Sequence, residues 1–240
     1  MNADQLAAVT KRSPCPSCDR SYLLYCAFCA KTHLSLPRIR LPVQLHILRH
    51  IAEYPKKSTA VHAKLIAPQD VHINVVDVKN LAETPVPLFN PKTTVLLYPH
   101  TLAKRPSQLL NFSEIDTIVI LDGTWSQSRQ MLKGMPEIAA LPKVTISPDI
   151  HTLFWRYQYK QTEKDLATIE AMYHVMREWE RARGKTDSQL DYLDAMVLLF
   201  HVQYCRIQHD YAVSGKKFTR RHRPGYIKPL EMNNQENSIV

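Results

Sequence analysis

The chain has 240 residues, of which 31 are lysine or arginine, 22 are aspartate or glutamate and only 5 are glycine. These glycines never have the spacing of a G-x-G-x-x-G motif or of a complete phosphate loop, which excludes the two commonest glycine-dependent nucleotide sites. The longest apolar run, residues 195–200, is far shorter than the roughly 20 residues that span a membrane, and the first residues lack the pattern of a signal peptide. We therefore expect no contact with membranes, and cysteines that stay reduced in the cytosol or nucleus.

Apolar periodicity and turn residues predict a succession of short strands and helices that follows a cysteine-rich module over residues 13–33. Alternation over residues 41–47 predicts a strand, and residues 58–67 predict a helix that Ser58 caps and Pro68 ends. Further elements are predicted downstream: strands over residues 71–76, 94–98, 117–121 and 143–146, and a helix over residues 125–133. The runs at 94–98 and 117–121 lack alternation, which is typical of central strands covered on both faces.

Two long amphipathic helices are predicted in the last third of the chain, the first ending at Gly184. The first helix carries large apolar residues on one face: Leu166, Ile169, Met172, Met176 and Trp179. The second carries a narrow apolar seam: Leu190, Leu193, Val197, Phe200, Tyr204, Ile207 and Tyr211. We predict a long αα hairpin that covers a mostly parallel α/β sheet. A dimerising coiled coil is the alternative, but a chain of this size needs both faces for its own core.

Four of the five cysteines form two C-x-x-C pairs, Cys15 with Cys18 and Cys26 with Cys29. Paired thiolates at that spacing can surround one ion tetrahedrally, so the pattern predicts a Zn²⁺ site. Because all four positions are protein ligands, the site would have no open position for substrate and would be structural. Disulfides need an oxidising compartment, and a thioredoxin-like motif needs a C-x-x-C that opens a helix in a βαβ unit; nothing else in the sequence supports either. Cys205 is interpreted as an ordinary thiol on a helix.

The net charge of +9 is concentrated near the C-terminus. Residues 216–228 hold six cations and no acid, interleaved with aromatic rings: Lys216, Lys217, Arg220, Arg221, Arg223 and Lys228. Without this basic segment, 25 basic and 22 acidic residues remain. Lysine and arginine neutralise phosphates, and aromatic rings stack on exposed bases, so the segment is a candidate RNA contact. A nuclear-import signal and a solvated tail are the alternatives.

The apolar run 117–121 ends in Asp122-Gly123-Thr124-Trp125, after which a helix is predicted. In open parallel sheets ligands bind at the carboxyl ends of strands, where this carboxylate, hydroxyl and indole are placed. The alternative is structural: Asp122 or Thr124 caps the helix, and Trp125 anchors the core. The residues alone leave both interpretations open.

The Asp122-x-Thr124-Trp125 sequence is similar to the D-x-T-W signature of the DTW-domain family, the tRNA-uridine aminocarboxypropyltransferases. Other blocks of that family resemble segments of this chain in the same order: the cysteine-rich module, residues 57–60, Leu97-Tyr98-Pro99, Leu141-Pro142 and residues 168–171. The family's H-P-x-E block reads H-I-A-E over residues 50–53, so its proline is lost. The resemblance covers residues 13–230 and looks closest to the first of the two eukaryotic paralogues.

This resemblance implies transfer of the 3-amino-3-carboxypropyl group of S-adenosylmethionine to N3 of a uridine in tRNA, at position 20 of the D-loop, with release of methylthioadenosine. It implies that Asp122 takes the N3 proton as a base, holds the substrate's amino group or orients the uracil. Trp125 is expected to stack on the target base or on adenine, or to face the sulfonium. Four further residues are expected at the cofactor pocket: Tyr98, Pro99, Thr124 and, less directly, Glu170.

The resemblance also implies a SPOUT-like domain whose C-terminal topological knot binds S-adenosylmethionine in a bent shape. We expect three parts: a zinc-binding knot over residues 1–34, a catalytic domain over 35–230 that includes the basic segment, and a flexible tail over 231–240. The implied partner is tRNA, and the expected location is the nucleus, with the cytoplasm as the alternative. Two other functions remain open, a non-catalytic zinc-containing RNA-binding adaptor and an S-adenosylmethionine-dependent RNA methyltransferase.

Overall fold

The computed structural model describes residues 1–84, 86–154 and 164–214. The chain begins with a short helix, α1 (Ala3–Ala7), and an antiparallel pair of two-residue strands, β1 (Ser13–Pro14) and β2 (Ser21–Tyr22). The two strands belong to the cysteine-rich module. The basic segment and the expected tail lie outside the described residues, so their predictions stay predictions.

Five parallel strands form the central sheet. In chain order they are β3 (Gln44–His50), β4 (Val71–Val76), β5 (Thr94–Leu97), β6 (Thr117–Asp122) and β7 (Lys143–Val144). Across the sheet the order is β4-β3-β6-β5-β7, and every pairing is parallel. From the neighbouring strands β3 and β6 the chain continues toward opposite edges of the sheet. After β3 it forms β4 at one edge, whereas after β6 it forms β7 at the other. This reversal is a topological switch point, where open parallel sheets bind ligands.

Helices cover both faces of the sheet. The α-helices are α2 (Ala60–Ile66), α3 (Trp125–Gly134), α4 (Pro136–Ala140), α5 (Thr168–Ala182) and α6 (Leu198–Ser214), and the 3₁₀ helices are Leu81–Glu83, Pro106–Gln108, Phe112–Glu114 and Asp187–Val197. Ile118 of β6 packs in one core with residues of α2 and α5, whereas its neighbour Val119 packs with residues of α3 and α4. A strand buried on both faces needs apolar residues at every position, which confirms the prediction for β5 and β6.

The predicted helix over residues 58–67 begins two residues later than expected, at Ala60. Ser58 was predicted to cap it, but that prediction is wrong: the N-cap residue is Thr59, and no side chain closes the cap. The Ser58 hydroxyl instead donates to Asp122 at the end of β6. The Ser58 hydroxyl therefore forms a tertiary hydrogen bond in place of the predicted helix cap.

The predicted long αα hairpin forms with one change. Gly184 follows α5 with a φ of +87°, in the left-handed region where glycine ends helices. The next segment, Asp187–Val197, is a 3₁₀ helix rather than the start of an α-helix. Its buried residues Leu190, Leu193 and Met196 recur every three positions, which matches the three residues per turn of a 3₁₀ helix. Tyr192 donates to Glu180 at 2.6 Å, so the segment runs back along α5.

The helix α6 packs against the N-terminal part of the chain. Leu199 and Val202 of α6 share a core with Leu6 of α1, Leu24 of the cysteine-rich module and Leu65 of α2. The boundary predicted near residue 34 and the SPOUT-like topological knot remain predictions. Within the described residues, the structure contains no helix with the length and apolar character to span a bilayer.

Candidate active site at the carboxyl edge of the sheet

A cavity of about 1150 Å³ opens at the carboxyl ends of the strands, beside the switch point between β3 and β6. Its walls come from the segments that follow β3, β5, β6 and β7 and from the start of α5. The lining includes Glu53, Lys57, Tyr98, Pro99, Asp122, Gly123, Thr124, Trp125, Ser147, Phe154, Lys164, Asp165 and Thr168. The structure therefore brings together Tyr98, Pro99, Asp122, Thr124 and Trp125 on one wall, and their catalytic and cofactor-binding roles stay predictions.

Asp122 lies at the end of β6 with only 3% of its surface exposed. Its Oδ2 accepts a hydrogen bond of 2.6 Å from the Ser58 hydroxyl, and its Oδ1 accepts one of 2.6 Å from the Thr168 hydroxyl. Burial raises the pKa of the Asp122 carboxyl, although both hydrogen bonds and the positive charge of Arg49 oppose the rise. The carboxyl thus joins three distant segments: the residues before α2, the end of β6 and the first turn of α5.

Thr124 caps α3, so the structural interpretation holds for this residue. Its hydroxyl accepts from the backbone N–H of Gln127 at 3.3 Å, and the Gln127 side chain accepts from the Thr124 N–H at 2.6 Å. Gly123 leaves room for this capping box, because a β-carbon there would lie 2.8 Å from Gln127 Oε1. The cap fixes the direction in which the next side chain, Trp125, leaves the helix.

Trp125 is 40% exposed and stands on the cavity wall rather than in the core. Its indole N–H donates a 2.9 Å hydrogen bond to Asp165 Oδ1, and its ring meets the Tyr98 ring edge to face, with the ring centres 6.0 Å apart. The Tyr98 backbone N–H in turn donates to the Val144 carbonyl at 3.1 Å, where β5 and β7 pair. Among the described residues, Asp165 and Tyr98 thus hold the indole ring, and part of its surface faces the cavity.

Glu170 lies behind the cavity wall rather than on it. Its Oε1 accepts from the Leu153 N–H, and its Oε2 accepts from the Thr152 hydroxyl and the Ala167 N–H, at 2.6–2.7 Å. These bonds hold the chain before Phe154, which does line the cavity, against the start of α5. Its predicted role as a cofactor contact stays a prediction.

Several lining residues were not singled out by sequence reasoning. Lys57, Lys164, Glu53 and Asp165 bring both signs of charge to the cavity. Lys57 and Thr168 belong to blocks that carry the family resemblance, and Glu53 is the acid of the H-I-A-E block. The sequence therefore marked these three positions but assigned them no function. Asp165 lies outside these blocks, so the resemblance gave no reason to select it.

The four cysteines of the two C-x-x-C pairs converge as predicted. Each offers one sulfur, and all four sulfurs lie within 4.8 Å of one another, with no disulfide among them. The Arg20 backbone N–H, helped by its side chain, lowers the pKa of Cys18 to about 6, whereas the hydrogen bond with Cys18 raises the pKa of Cys29 to about 12. Crowded thiols resist losing their protons together, so a bound cation would stabilise the cluster. The cluster can therefore hold a metal ion.

The two halves of the cysteine cluster repeat one local structure that was not predicted from the sequence. The N–H of the first cysteine in each pair donates to the carbonyl five residues later, Cys15 to Arg20 and Cys26 to Lys31. The residue after each pair, Asp19 or Ala30, has a positive φ, 55° and 48° respectively. Each turn directs two sulfurs toward the same point, as the tetrahedral geometry of a four-thiolate site requires.

Comparison with known proteins relates the chain to enzymes of tRNA modification. Proteins named tRNA-uridine aminocarboxypropyltransferase 1 are similar to it. The Xenopus laevis protein is 28% identical over 89% of this chain and 86% of its own length. The Rattus norvegicus protein is 27% identical over 86% of this chain and 80% of its own length, and the Homo sapiens protein is 24% identical over 84% of this chain and 81% of its own length. No solved structure matches the chain. The model of the DTW domain matches residues 12–201, which include the four clustered cysteines, the whole sheet and every described wall of the cavity. The chain therefore belongs to the DTW domain family.

Proposed function

We propose that this protein is a tRNA-uridine aminocarboxypropyltransferase that transfers the 3-amino-3-carboxypropyl group of S-adenosylmethionine to N3 of a uridine. The observation that carries the proposal is the position of the D-x-T-W residues: Asp122, Thr124 and Trp125 stand together on the wall of a large cavity at the switch point of the sheet. Membership of the DTW family and the names of the similar proteins support the same reaction.

The residues of the cavity fit this donor. Apolar walls and the Trp125 ring suit an adenine, and an indole face also attracts a sulfonium cation. Lys57 and Lys164 can attract the carboxylate of the transferred group, and Glu53 can attract its ammonium. Charges of both signs on one wall match a zwitterionic substrate better than a purely anionic one.

When bound, S-adenosylmethionine supplies an electrophilic carbon beside a positively charged sulfur. The uridine gives up the N3 proton, its nitrogen forms a bond to that carbon, and the carbon–sulfur bond breaks with its electron pair left on the sulfur of methylthioadenosine. The protein has to hold the uracil in line with that bond and receive the proton. A base tuned near the working pH is the most effective acceptor.

Asp122 is the proposed base. Burial raises the pKa of its carboxyl, which strengthens it as a proton acceptor, and its two bonds from Ser58 and Thr168 use one lone pair on each oxygen. A lone pair on each oxygen remains for the N3 proton. Ser58 and Thr168 are proposed as positioning residues, since each donates its hydroxyl to the carboxylate.

We assign Zn²⁺ to the four cysteines, with a structural role because no coordination position is left for substrate. The acceptor is proposed to be a D-loop uridine, unstacked so that it can enter the cavity, with Trp125 and the basic segment as RNA contacts. The Arg220–Arg223 stretch is proposed to direct the protein to the nucleus.

Incubation of the purified protein with unmodified tRNA and differently labelled S-adenosylmethionine tests the function directly. Entry of label from the carboxyl carbon into RNA, with equimolar methylthioadenosine, is the expected result. Entry of methyl label would make the protein a methyltransferase, and tRNA binding without any transfer would make it an adaptor; either result overturns the proposal. Digestion of the product to nucleosides identifies the modified base, and mapping identifies its position.

A further inference from the structure

A second groove lies between the cysteine-rich module and α6. It has a volume of about 400 Å³, and four cations line it: Arg12, Arg20, Lys56 and Arg206. No aspartate or glutamate is among the described residues of its lining. Aromatic rings also contribute, namely Tyr22, Tyr25 and Phe28. The groove therefore combines concentrated positive charge with aromatic surface, in a part of the chain distant in sequence from the basic segment.

The cations of the groove are held in place by different means. The Arg12 guanidinium donates to the Ser21 hydroxyl at 3.0 Å and the Ser21 carbonyl at 2.8 Å, which ties it to β2. Arg20 stacks over the Phe28 ring at 4.3 Å. Within the described part of the chain, neither arginine forms an ion pair with a carboxylate. Both residues are exposed, and no carboxylate of the described residues neutralises their charges.

Part of this charge has a local explanation. Arg20 also lies within hydrogen-bonding reach of Cys18, so it helps to offset the negative charge of the thiolates. Arg206 donates to the carbonyls of Leu6, Ala7 and Val9 at the end of α1. The inference of a ligand therefore rests on the four lining cations together and not on any one of them.

The groove and the active-site cavity meet at one dipeptide. Lys56 lines the groove and Lys57 lines the cavity, in the segment between β3 and α2. A polyanion that places one residue in the cavity can therefore continue past Lys57 and Lys56 to Arg12. A polynucleotide backbone has such a continuous row of charges, and its phosphates are what exposed lysine and arginine bind.

We infer that this groove binds the phosphate backbone of the tRNA whose uridine enters the cavity. The inference rests on the proposed function for the identity of the RNA. It gives the cysteine-rich module a second role, since the metal centre sets the shape of the β1–β2 hairpin that carries Arg12 and Arg20. Loss of the metal then weakens RNA binding as well as the fold.

The test measures binding of labelled unmodified tRNA to the full chain at a series of salt concentrations. Arg12→Ala/Lys56→Ala removes two groove cations, and Lys92→Ala/Lys133→Ala is the matched control, because both of those lysines are exposed and line neither the groove nor the cavity. We expect the groove variant to lose about tenfold or more in affinity and to lower the slope of log affinity against log salt by about 1.5–2. The control should stay within about twofold of the wild type, with an unchanged slope.

Equal binding by the groove variant and the wild type overturns the inference, and so does an equal loss in the control, which would make net charge the cause. Displacement of the tRNA by polyglutamate at similar affinity would assign the groove to an acidic protein and also overturn it. The single variant Lys56→Ala, outside the cysteine-rich module, gives a result even if the double variant loses its metal. Transfer assays separate this inference from the proposed function: we expect a higher KM for tRNA with unchanged kcat and KM for the donor. If the wild type transfers nothing, the proposed function fails while the binding data still decide the role of the groove.

Discussion

The indole N–H of Trp125 donates a 2.9 Å hydrogen bond to the carboxylate of Asp165, which lies 40 residues further along the chain. The bond ties the first residue of α3 to the segment that leads into α5. With Tyr98 against the same ring, the indole has a fixed orientation although 40% of its residue surface is exposed. An exposed ring held in this way is prepared for stacking before any ligand arrives.

Replacing Asp165 tests whether this orientation matters. Asp165→Ala should weaken binding of the ligand that stacks on Trp125 by about fivefold, the equivalent of about 1 kcal/mol for one lost hydrogen bond. Asp165→Asn keeps an oxygen that accepts from the indole and should recover most of the affinity. Tryptophan fluorescence on titration with S-adenosylmethionine or tRNA measures both variants. If the asparagine variant is as impaired as the alanine variant, the carboxylate charge matters rather than the orientation of the ring.

Replacing Asp122 separates its chemical and structural roles. Asp122→Ala leaves the Ser58 and Thr168 hydroxyls without their acceptor and should cost about 2–4 kcal/mol of stability as well as all transfer. Asp122→Asn retains one acceptor oxygen and should fold, yet it cannot take a proton, so transfer should fall by about a hundredfold or more. Single-turnover assays and thermal melts measure the two effects. Turnover near the wild-type rate in the asparagine variant would limit Asp122 to positioning.

The ionisation of Asp122 should also influence stability. Its carboxyl has a higher pKa in the folded chain than in the unfolded chain. Between these two pKa values the folded state binds more protons, so the free energy of unfolding contributed by Asp122 falls as the pH rises through that window. Asp122→Asn removes this dependence. Melting temperatures of the two proteins across the acidic range should therefore differ in slope, with the asparagine variant relatively more stable at neutral pH; parallel curves would contradict a raised pKa.

The proposed zinc site can be tested by making the same substitution at two different cysteines. Cys15→Ser removes one of four clustered sulfurs and should abolish stoichiometric zinc and cost about 4 kcal/mol, or about 8–16 °C in melting temperature. Cys205→Ser is the control, because this exposed thiol lies on α6 outside the cluster. Elemental analysis and thermal melts measure both proteins. Full zinc content with an unchanged melting temperature in Cys15→Ser would disprove the structural site.

The sequence predicts those parts of the site that depend on local pattern. β6 is a continuous apolar run, so its end and the motif at residues 122–125 could be located, and the two C-x-x-C pairs could be assigned to one cluster. The contacts of Ser58 could not be predicted, because its partner Asp122 is 64 residues away and a serine before a helix usually caps that helix. The position of Asp165 beside Trp125 likewise depends on how α3 and α5 pack on the sheet.

Periodicity was also insufficient to predict which type of helix the segment Asp187–Val197 forms. Its apolar residues fit an α-helical seam, but their spacing of three also fits a 3₁₀ helix, and packing against α5 selects the latter. The strand order could not be read from the chain either. The continuous apolar runs of β5 and β6 indicate central strands, but nothing local says that β6 enters between β3 and β5.

That strand order has a consequence for synthesis of the protein. On one side, residues 45–50 of β3 pair with β4, the next strand to be made. On the other side, residues 44–49 of β3 pair with residues 117–122 of β6. Until β6 leaves the ribosome, the inner edge of β3 has unpaired backbone groups and an apolar surface on both faces. Such an edge can pair with another chain, so the interval between the two strands is when the nascent protein most needs a chaperone. The residue that ends this interval is Asp122, which completes the pairing of β3 and is also the proposed catalytic group.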